Sequence, residues 1–171
     1  DLNVMHGALK FYKECKKNDI KPIIGLHLDY TYNEQTSSVL LYATNMFGYK
    51  NLMKLSSQAK ISNKPVDFDF LSKCSMGLIL VVPTFENIIG KYLKNQLYKE
   101  AYNHLALLQT SFTNIYLGVT MLTKEDKEMF VQTYNFAQNK NIDVVDVTPI
   151  SFLNIDDSDD DKFFDDFFSD E

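Results

Sequence analysis

Three histidines and two cysteines are the side chains of this 171-residue sequence best suited to bind a metal ion. His6, His27 and His104 lie far apart, and Cys15 and Cys74 form no CxxC unit. A zinc site needs several closely spaced ligands of these types, and no HExxH, GxGxxG, GxxxxGK or GxSxG motif is present. These residues alone therefore predict neither a metal centre nor a catalytic triad. His27 lies in an alternating strand pattern and is the histidine that could face a pocket.

Carboxylates are the other candidates for general acid–base chemistry. Asp67 and Asp69 alternate with phenylalanines, and Asp143 and Asp146 flank an apolar strand pattern. Nothing in the sequence marks a neighbour that would shift the pKa of these groups. We therefore interpret both pairs as solvated or helix-capping residues.

The charge of the chain is unevenly distributed. Residues 156–171 contain nine acids and one lysine, a net charge of −8, whereas the other 155 residues contain 16 lysines and 14 acids, a net charge of +2. A net charge of +2, with lysines spread over helix faces, is weak for a surface that binds nucleic-acid phosphates. The basic residues are all lysine, which we attribute to codon bias in an AT-rich bacterial genome.

Neither a secretory leader nor a membrane span is indicated by the apolar pattern. No basic start with an apolar core is present, and no apolar run approaches the roughly 20 residues that a membrane helix needs. We therefore predict a cytoplasmic protein with reduced cysteines and no membrane contact.

Strand and helix patterns alternate along the chain, which predicts an α/β fold with a parallel sheet or barrel. A capping box, in which Thr123 caps and Asp126 follows three residues later, begins the last long helix. The helix preceding it is expected to break near Gly90. The strands are predicted at 21–32, 37–43, 76–82, 113–119 and 142–147, and the helices at about 8–18, 46–61, 67–73, 85–107 and 123–139.

The acidic end carries four phenylalanines at positions i, i+1, i+4 and i+5: Phe163, Phe164, Phe167 and Phe168. This spacing places the four rings on one face of a helix, with aspartates opposite. Four exposed phenylalanines would form an interaction patch or an aggregation hazard. We therefore predict a short amphipathic helix at 156–171 that makes a partner contact.

The first 25 residues, DLNVMHGALKFYKECKKNDIKPIIG, resemble the PHP domain of the bacterial DNA polymerase III alpha subunit. The second block, GYKNLMKLS at 48–56, is similar to that family's "GYxNLxKLxS". Two weaker blocks follow at 76–79 and 144–153. The positions that match in the first block are Gly7, Ala8, Phe11, Tyr12, Lys16, Lys17, Ile20, Lys21, Pro22, Ile23, Ile24 and Gly25.

The resemblance implies a distorted (β/α)7 TIM-like barrel, incomplete at its amino-terminal end. Residues 1–155 would form the PHP segment, without its first strand, and residues 156–171 would lead toward the next region. Active members of the family hold a metal cluster at the carboxyl ends of the strands. The family's ligand positions correspond here to Asp1, Leu2, His27, Thr84, Gly118, Pro149 and Ser151.

Only Asp1 and His27 retain strong ligand chemistry at those positions, and two ligands do not hold a metal cluster that activates water. We therefore expect no metal site, no cofactor and no catalytic residue in this segment. The resemblance implies a structural, partner-docking role in DNA replication. Its parent would be a DNA-directed DNA polymerase, a nucleotidyltransferase that uses magnesium. The expected partners are the rest of the alpha subunit, replisome proteins and, through the parent, DNA.

Two other interpretations stay open at this point. One is a stand-alone PHP phosphoesterase or exonuclease with an altered site that uses Asp1, His27 and residues upstream. The other is an unrelated α/β protein-interaction domain whose contact is the phenylalanine-rich segment.

Overall fold

A mixed six-stranded sheet, covered on one face by helices, forms the centre of the described chain. The computed structural model describes residues 24–147, excluding the side chain of Ile24. Its strands are β1 Ile24–Tyr32, β2 Gln35–Ala43, β3 Val66–Asp67, β4 Leu78–Pro83, β5 Ile115–Val119 and β6 Asp143–Asp146. Its α-helices are α1 Met46–Ser62, α2 Phe68–Lys73, α3 Ile88–Lys94, α4 Tyr98–Gln109 and α5 Lys124–Lys140, and a 3-10 turn spans Thr84–Glu86.

The sheet has the strand order β3-β1-β2-β4-β5-β6. Strands β4, β5 and β6 are parallel to one another, whereas β2 is antiparallel to both β1 and β4. The prediction of a parallel sheet is therefore wrong for β2.

Asn33 and Glu34 form the two-residue loop between β1 and β2, with φ values of 50° and 64°. Two consecutive residues at positive φ match the twist of a β-hairpin, which reverses the chain direction.

The mixed α/β class is confirmed, while closure into a barrel stays a prediction. Strands β3 and β6 are the two ends of the sheet within residues 24–147. The pairing of β1 with β3 covers only Tyr30 and Thr31.

The two faces of the sheet differ in what covers them. Leu28, Leu41 and Leu80 lie on the face that packs against the helices, where they join the large core cluster. Such side chains each stabilise the fold by about 1.5–3 kcal/mol on full burial. The opposite face, which we call the His27 face, carries His27, Leu40 and Val81 in one row, because these residues are direct register partners.

Helix α5 begins as predicted. The Thr123 side chain accepts a hydrogen bond from the Asp126 backbone N–H at 3.1 Å, and the Asp126 carboxylate accepts one from the Thr123 N–H at 3.0 Å. This reciprocal capping box satisfies two of the N–H groups that a helix start leaves unpaired.

The predicted break near Gly90 is wrong. Gly90 lies inside α3, and the chain leaves helical geometry between Asn95 and Leu97, where Gln96 has a φ of 60°. Gly90 is required for close packing, since a Cβ there would lie 1.7 Å from the Thr84 carbonyl oxygen.

A buried polar network joins the hairpin to the helices. The Tyr30 hydroxyl lies 2.7 Å from His104 Nε2. Asn87 donates from Nδ2 to the Tyr30 oxygen at 3.2 Å and to the Ser38 carbonyl at 3.0 Å. Burial lowers the pKa of His104 to about 4 and raises the pKa of Tyr30 to about 12. The bond therefore joins two neutral groups at neutral pH, and His104 is a structural residue.

None of the helices within residues 24–147 is both long and apolar enough to cross a bilayer.

We predict that stability decreases as the pH falls from 6.5 toward 4, because His104 binds its proton in this range only in the unfolded chain. The folded pKa is depressed to about 4 from 6.5. His104 therefore has no effect above pH 6.5 and adds a slope of up to about 1.4 kcal/mol per pH unit below it. Urea unfolding at a series of pH values should show this slope in the native chain and a slope smaller by one proton in His104→Gln. Tyr30→Phe keeps the burial and should keep the slope. Equal slopes in the native chain and His104→Gln would contradict the prediction.

Candidate functional site

The carboxyl ends of β4 and β5 bring two of the sequence-predicted positions into direct contact. The parallel register pairs Pro83 with Gly118, so Thr84 follows β4 directly beside Gly118. Thr84 is buried, and its Oγ1 donates a hydrogen bond to the Gly118 carbonyl oxygen at 3.0 Å. The Thr84 hydroxyl therefore joins the end of β4 to β5.

The backbone of Thr84 is held from its other side by α3. The Thr84 carbonyl oxygen lies where a Cβ at Gly90 would be, so the backbones of these two residues are in direct contact. Asn87 caps α3 by accepting from the Ile89 N–H at 3.0 Å, and the Ser37 hydroxyl accepts from the Ile88 N–H at 2.9 Å. These contacts fix the segment between β4 and α3, and Thr84 with it.

Gly118 lies on the His27 face, where the surrounding space is filled by apolar side chains. A Cβ at Gly118 would lie 3.0 Å from Val147 Cγ1 and 3.0 Å from Val81 Cγ1. Val81, Val147 and Leu40 form a small buried cluster on this face. Contacts of 3.0 Å are tighter than ordinary van der Waals packing, so a side chain at Gly118 would require the methyl groups of Val81 and Val147 to shift by a few tenths of an ångström.

Tyr42 and Tyr116 pack against the same cluster, which we call the valine cluster. Burial raises the pKa of the Tyr42 phenol above its ordinary value. A phenol with a raised pKa stays neutral at neutral pH. Beside Gly118, the His27 face is therefore lined by apolar valines and by neutral side chains.

His27 points from the same face toward an acid that the sequence analysis missed. Its Nε2 lies 2.7 Å from Glu86 Oε2, and both side chains are 43% exposed. Glu86 lies two residues after Thr84 in the 3-10 turn, so the segment that fixes Thr84 also positions this carboxylate. The local signal for Glu86 was its place in the short segment that follows a buried strand.

The remaining candidates have local structural roles or lie elsewhere. Asp67 accepts a hydrogen bond from the Phe70 N–H at 2.7 Å and caps α2, and Asp69 pairs with Lys73 at 3.1 Å, as the capping and solvated interpretation predicts. Cys74 is buried in the large core. The following predicted residues lie outside the described part of the chain: Asp1, Leu2, His6, Cys15, Pro149, Ser151, Phe163, Phe164, Phe167 and Phe168.

A metal cluster does not fit the donor set at the three described family positions. Gly118 has no side chain, and a Cβ there would be in tight contact with Val81 and Val147, while the Thr84 hydroxyl is used as a donor to a carbonyl. His27 is the single strong ligand of the three. Within residues 24–147, no three or more histidine, cysteine, aspartate or glutamate side chains converge on a possible metal position.

The chain belongs to the PHP domain family. A family model described as "PHP domain" matches residues 1–121 of the 171, which is well over half of the sequence. The alternative of an unrelated α/β domain is therefore wrong. The amino-terminal block and the block at 48–56 lie within the matched range.

Three similar proteins carry the name DNA polymerase III subunit alpha. The protein from Buchnera aphidicola subsp. Schizaphis graminum is 32% identical over 169 residues, covering 92% of this chain and 14% of that protein. The protein from Staphylococcus aureus is 27% identical over 152 residues, covering 85% and 14%. The protein from Borreliella burgdorferi is 34% identical over 132 residues, covering 67% and 11%. The chain thus spans 11–14% of the length of these relatives.

We predict that Thr84→Val destabilises the fold by about 1–3 kcal/mol, because it removes the donor to the buried Gly118 carbonyl while conserving side-chain volume. Thr84→Ser retains the hydroxyl and should cost less than about 1 kcal/mol. Urea unfolding of both variants beside the native chain measures the difference. A Thr84→Val variant as stable as the native chain would show that the hydrogen bond does not fasten β4 to β5.

Proposed function

We propose that this chain is the PHP region of a replicative DNA polymerase alpha subunit, and that it has a structural and partner-docking role without metal-dependent activity of its own. Membership of the PHP family and similarity to three alpha subunits support the replication context. The relatives carry the name of a DNA polymerase subunit, and we propose the same replication role for this chain.

The packing around Gly118 is the observation that carries the non-catalytic part of the proposal. In an active member, the corresponding position supplies a carboxylate. Here the position is a glycine in the close vicinity of Val81 and Val147. Its carbonyl oxygen accepts a hydrogen bond from the Thr84 hydroxyl. Metal ligands need hydrogen-bonding partners that orient them. The valine side chains around Gly118 do not provide such partners.

The barrel belongs to this proposal as well. Along β1, residues 24–29 have no strand partner on the β3 side within the described chain, and β6 is the opposite end of the sheet. Unpaired strand edges favour association with further strands. We propose that these unpaired edges belong to a distorted seven-stranded barrel, with the His27 face inward. The chain divides at about residue 155, and the segment that follows leads toward the polymerase.

The polymerase itself would supply the chemistry and the magnesium. Template-directed nucleotidyl transfer needs carboxylates that bind Mg²⁺, and we assign none of them to this chain. The partners that follow from this proposal are the rest of the alpha subunit, other replisome proteins and, through the parent, DNA.

A second candidate is a phosphoesterase or exonuclease with an altered site. The observation that favours it is the pair formed by His27 and Glu86, an imidazole and a carboxylate at the edge where active members hold their metals. This candidate requires further ligands, of which Asp1 is the one that the sequence offers.

We predict that the chain does not hydrolyse phosphodiesters. The 171-residue chain should be incubated with Mg²⁺, Mn²⁺ or Zn²⁺ and either bis-p-nitrophenyl phosphate or a 3′-labelled DNA oligonucleotide. The expected rate equals that of the metal alone, because Gly118 and Thr84 supply no ligand. In a second arm, the product of the complete gene should extend a primed template.

The control for the first arm is the variant His27→Ala with Glu86→Ala. Metal-dependent hydrolysis by the native chain that this variant lacks would contradict the non-catalytic role and support the phosphoesterase. A complete gene product that fails to extend a primed template would contradict the replication role.

A further inference from the structure

An open groove runs between α4 and α5 on the outer side of the helices. Its volume is about 480 Å³. Tyr98 and Tyr102 line it with exposed fractions of 49% and 42%, and the buried ring of Phe136 forms part of its floor. Exposed aromatic rings in a groove of this size provide an apolar surface for a partner side chain.

The charges of this α4–α5 groove are of one sign. Lys99 and Lys140 are among the described residues that line it, and no carboxylate is. The Lys140 ammonium lies 3.8 Å from the centroid of the Tyr102 ring, a cation–π contact that holds the charge at the groove. Glu128, the nearest acid of α5 in sequence, lies about 18 Å from Lys140 along the helix and about 6 Å from Gln132, the first α5 residue that lines the groove, at 1.5 Å per residue.

The start of α4 adds to this positive character. Glu100 is the acid in its first turn, but no side chain caps the helix at Leu97. The first N–H groups of a helix and the positive end of its dipole favour an anion. Tyr98 and Lys99 lie in this first turn, so the uncapped end opens beside the groove.

We propose that the α4–α5 groove binds the acidic segment 156–171 of the same chain. This segment combines a net charge of −8 with four phenylalanines, whose spacing puts them on one helical face. The phenylalanine rings fit against Tyr98, Tyr102 and Phe136, while the aspartates of 156–161, which precede the phenylalanine face rather than lying opposite to it, meet Lys99 and Lys140. The arrangement is the helix-in-groove mode of recognition, with charge complementarity setting its orientation.

The length of the connection permits this contact. Strand β6 begins three residues after Lys140, and its four residues extend about 13 Å at 3.3 Å per residue. The eight residues 148–155 reach up to about 26 Å, which is enough to return to the Lys140 end of the groove. A tethered segment also acts at an effective concentration in the millimolar range, so a modest intrinsic affinity suffices.

Single-stranded nucleic acid is the competing occupant, because aromatic rings and lysines also bind bases and phosphates. Two lysines in a body with a net charge of +2 are few for a phosphate backbone. The acidic segment on the same chain is the better match.

Photocrosslinking in the full chain tests the proposal. The residue p-benzoylphenylalanine replaces Phe164, the chain is irradiated, and the crosslinked peptides are identified by mass spectrometry. We expect crosslinks within one chain to residues 98–102 and 132–140. The pair Lys99→Glu with Lys140→Glu should reduce their yield at least fivefold, as should 0.5 M NaCl.

The matched control is Lys50→Glu with Lys64→Glu, which changes the net charge equally at exposed positions elsewhere and should leave the yield unchanged. Circular dichroism checks that each variant is folded. If the double glutamate variant is unfolded, Lys99→Gln with Lys140→Gln replaces it, with an expected threefold loss of yield.

Three results would overturn the proposal. The first is crosslinking to another surface, and the second is crosslinking between chains, detected by mixing isotopically light and heavy protein. The third is a yield that the groove variants do not change. Binding of a dT16 oligonucleotide that requires Lys99 and Lys140, without segment crosslinks, would assign the groove to nucleic acid instead.

Discussion

The carboxyl edge of the sheet depends on how Thr84 is fixed. Its hydroxyl donates to the Gly118 carbonyl on β5, and its own carbonyl oxygen packs where a Cβ of Gly90 would be. Both contacts are buried, so neither tolerates a shift of the backbone without losing a hydrogen bond or creating a clash. The positions of α3 and Glu86 follow from this fixed segment. Two positions at which the family places metal ligands thus act here as packing residues.

The local elements of this fold were predictable because their signals are local. The capping box of Thr123 and Asp126 fixed the start of α5, and the apolar run before Pro83 indicated β4. The hairpin was missed because it depends on Asn33 and Glu34 at positive φ, and glutamate carries no turn signal. The prediction of a helix break at Gly90 was wrong, because this glycine is needed for close packing against the Thr84 backbone. The sequence pattern does not reveal such a tertiary contact.

At the candidate site, the sequence indicated which positions to compare but not what those positions contact. The family resemblance located Thr84 and Gly118, and a glycine in a strand indicates close approach of another group. That Val81 and Val147 are the groups that approach could not be read from the sequence, because Val81 comes from β4 and Val147 directly follows β6. The pairing of His27 with Glu86 was hidden for the same reason, since the two residues are distant along the chain.

We propose that a packed apolar cluster takes the place of the family's metal cluster in this chain. This replacement can be tested by titrating the 171-residue chain with Mn²⁺ and following the free ion by electron paramagnetic resonance. We expect the free-ion signal to rise in proportion to added Mn²⁺ up to 100 µM (roughly the range in which a site of micromolar affinity fills). Stoichiometric removal of the signal, abolished by His27→Ala, would contradict it.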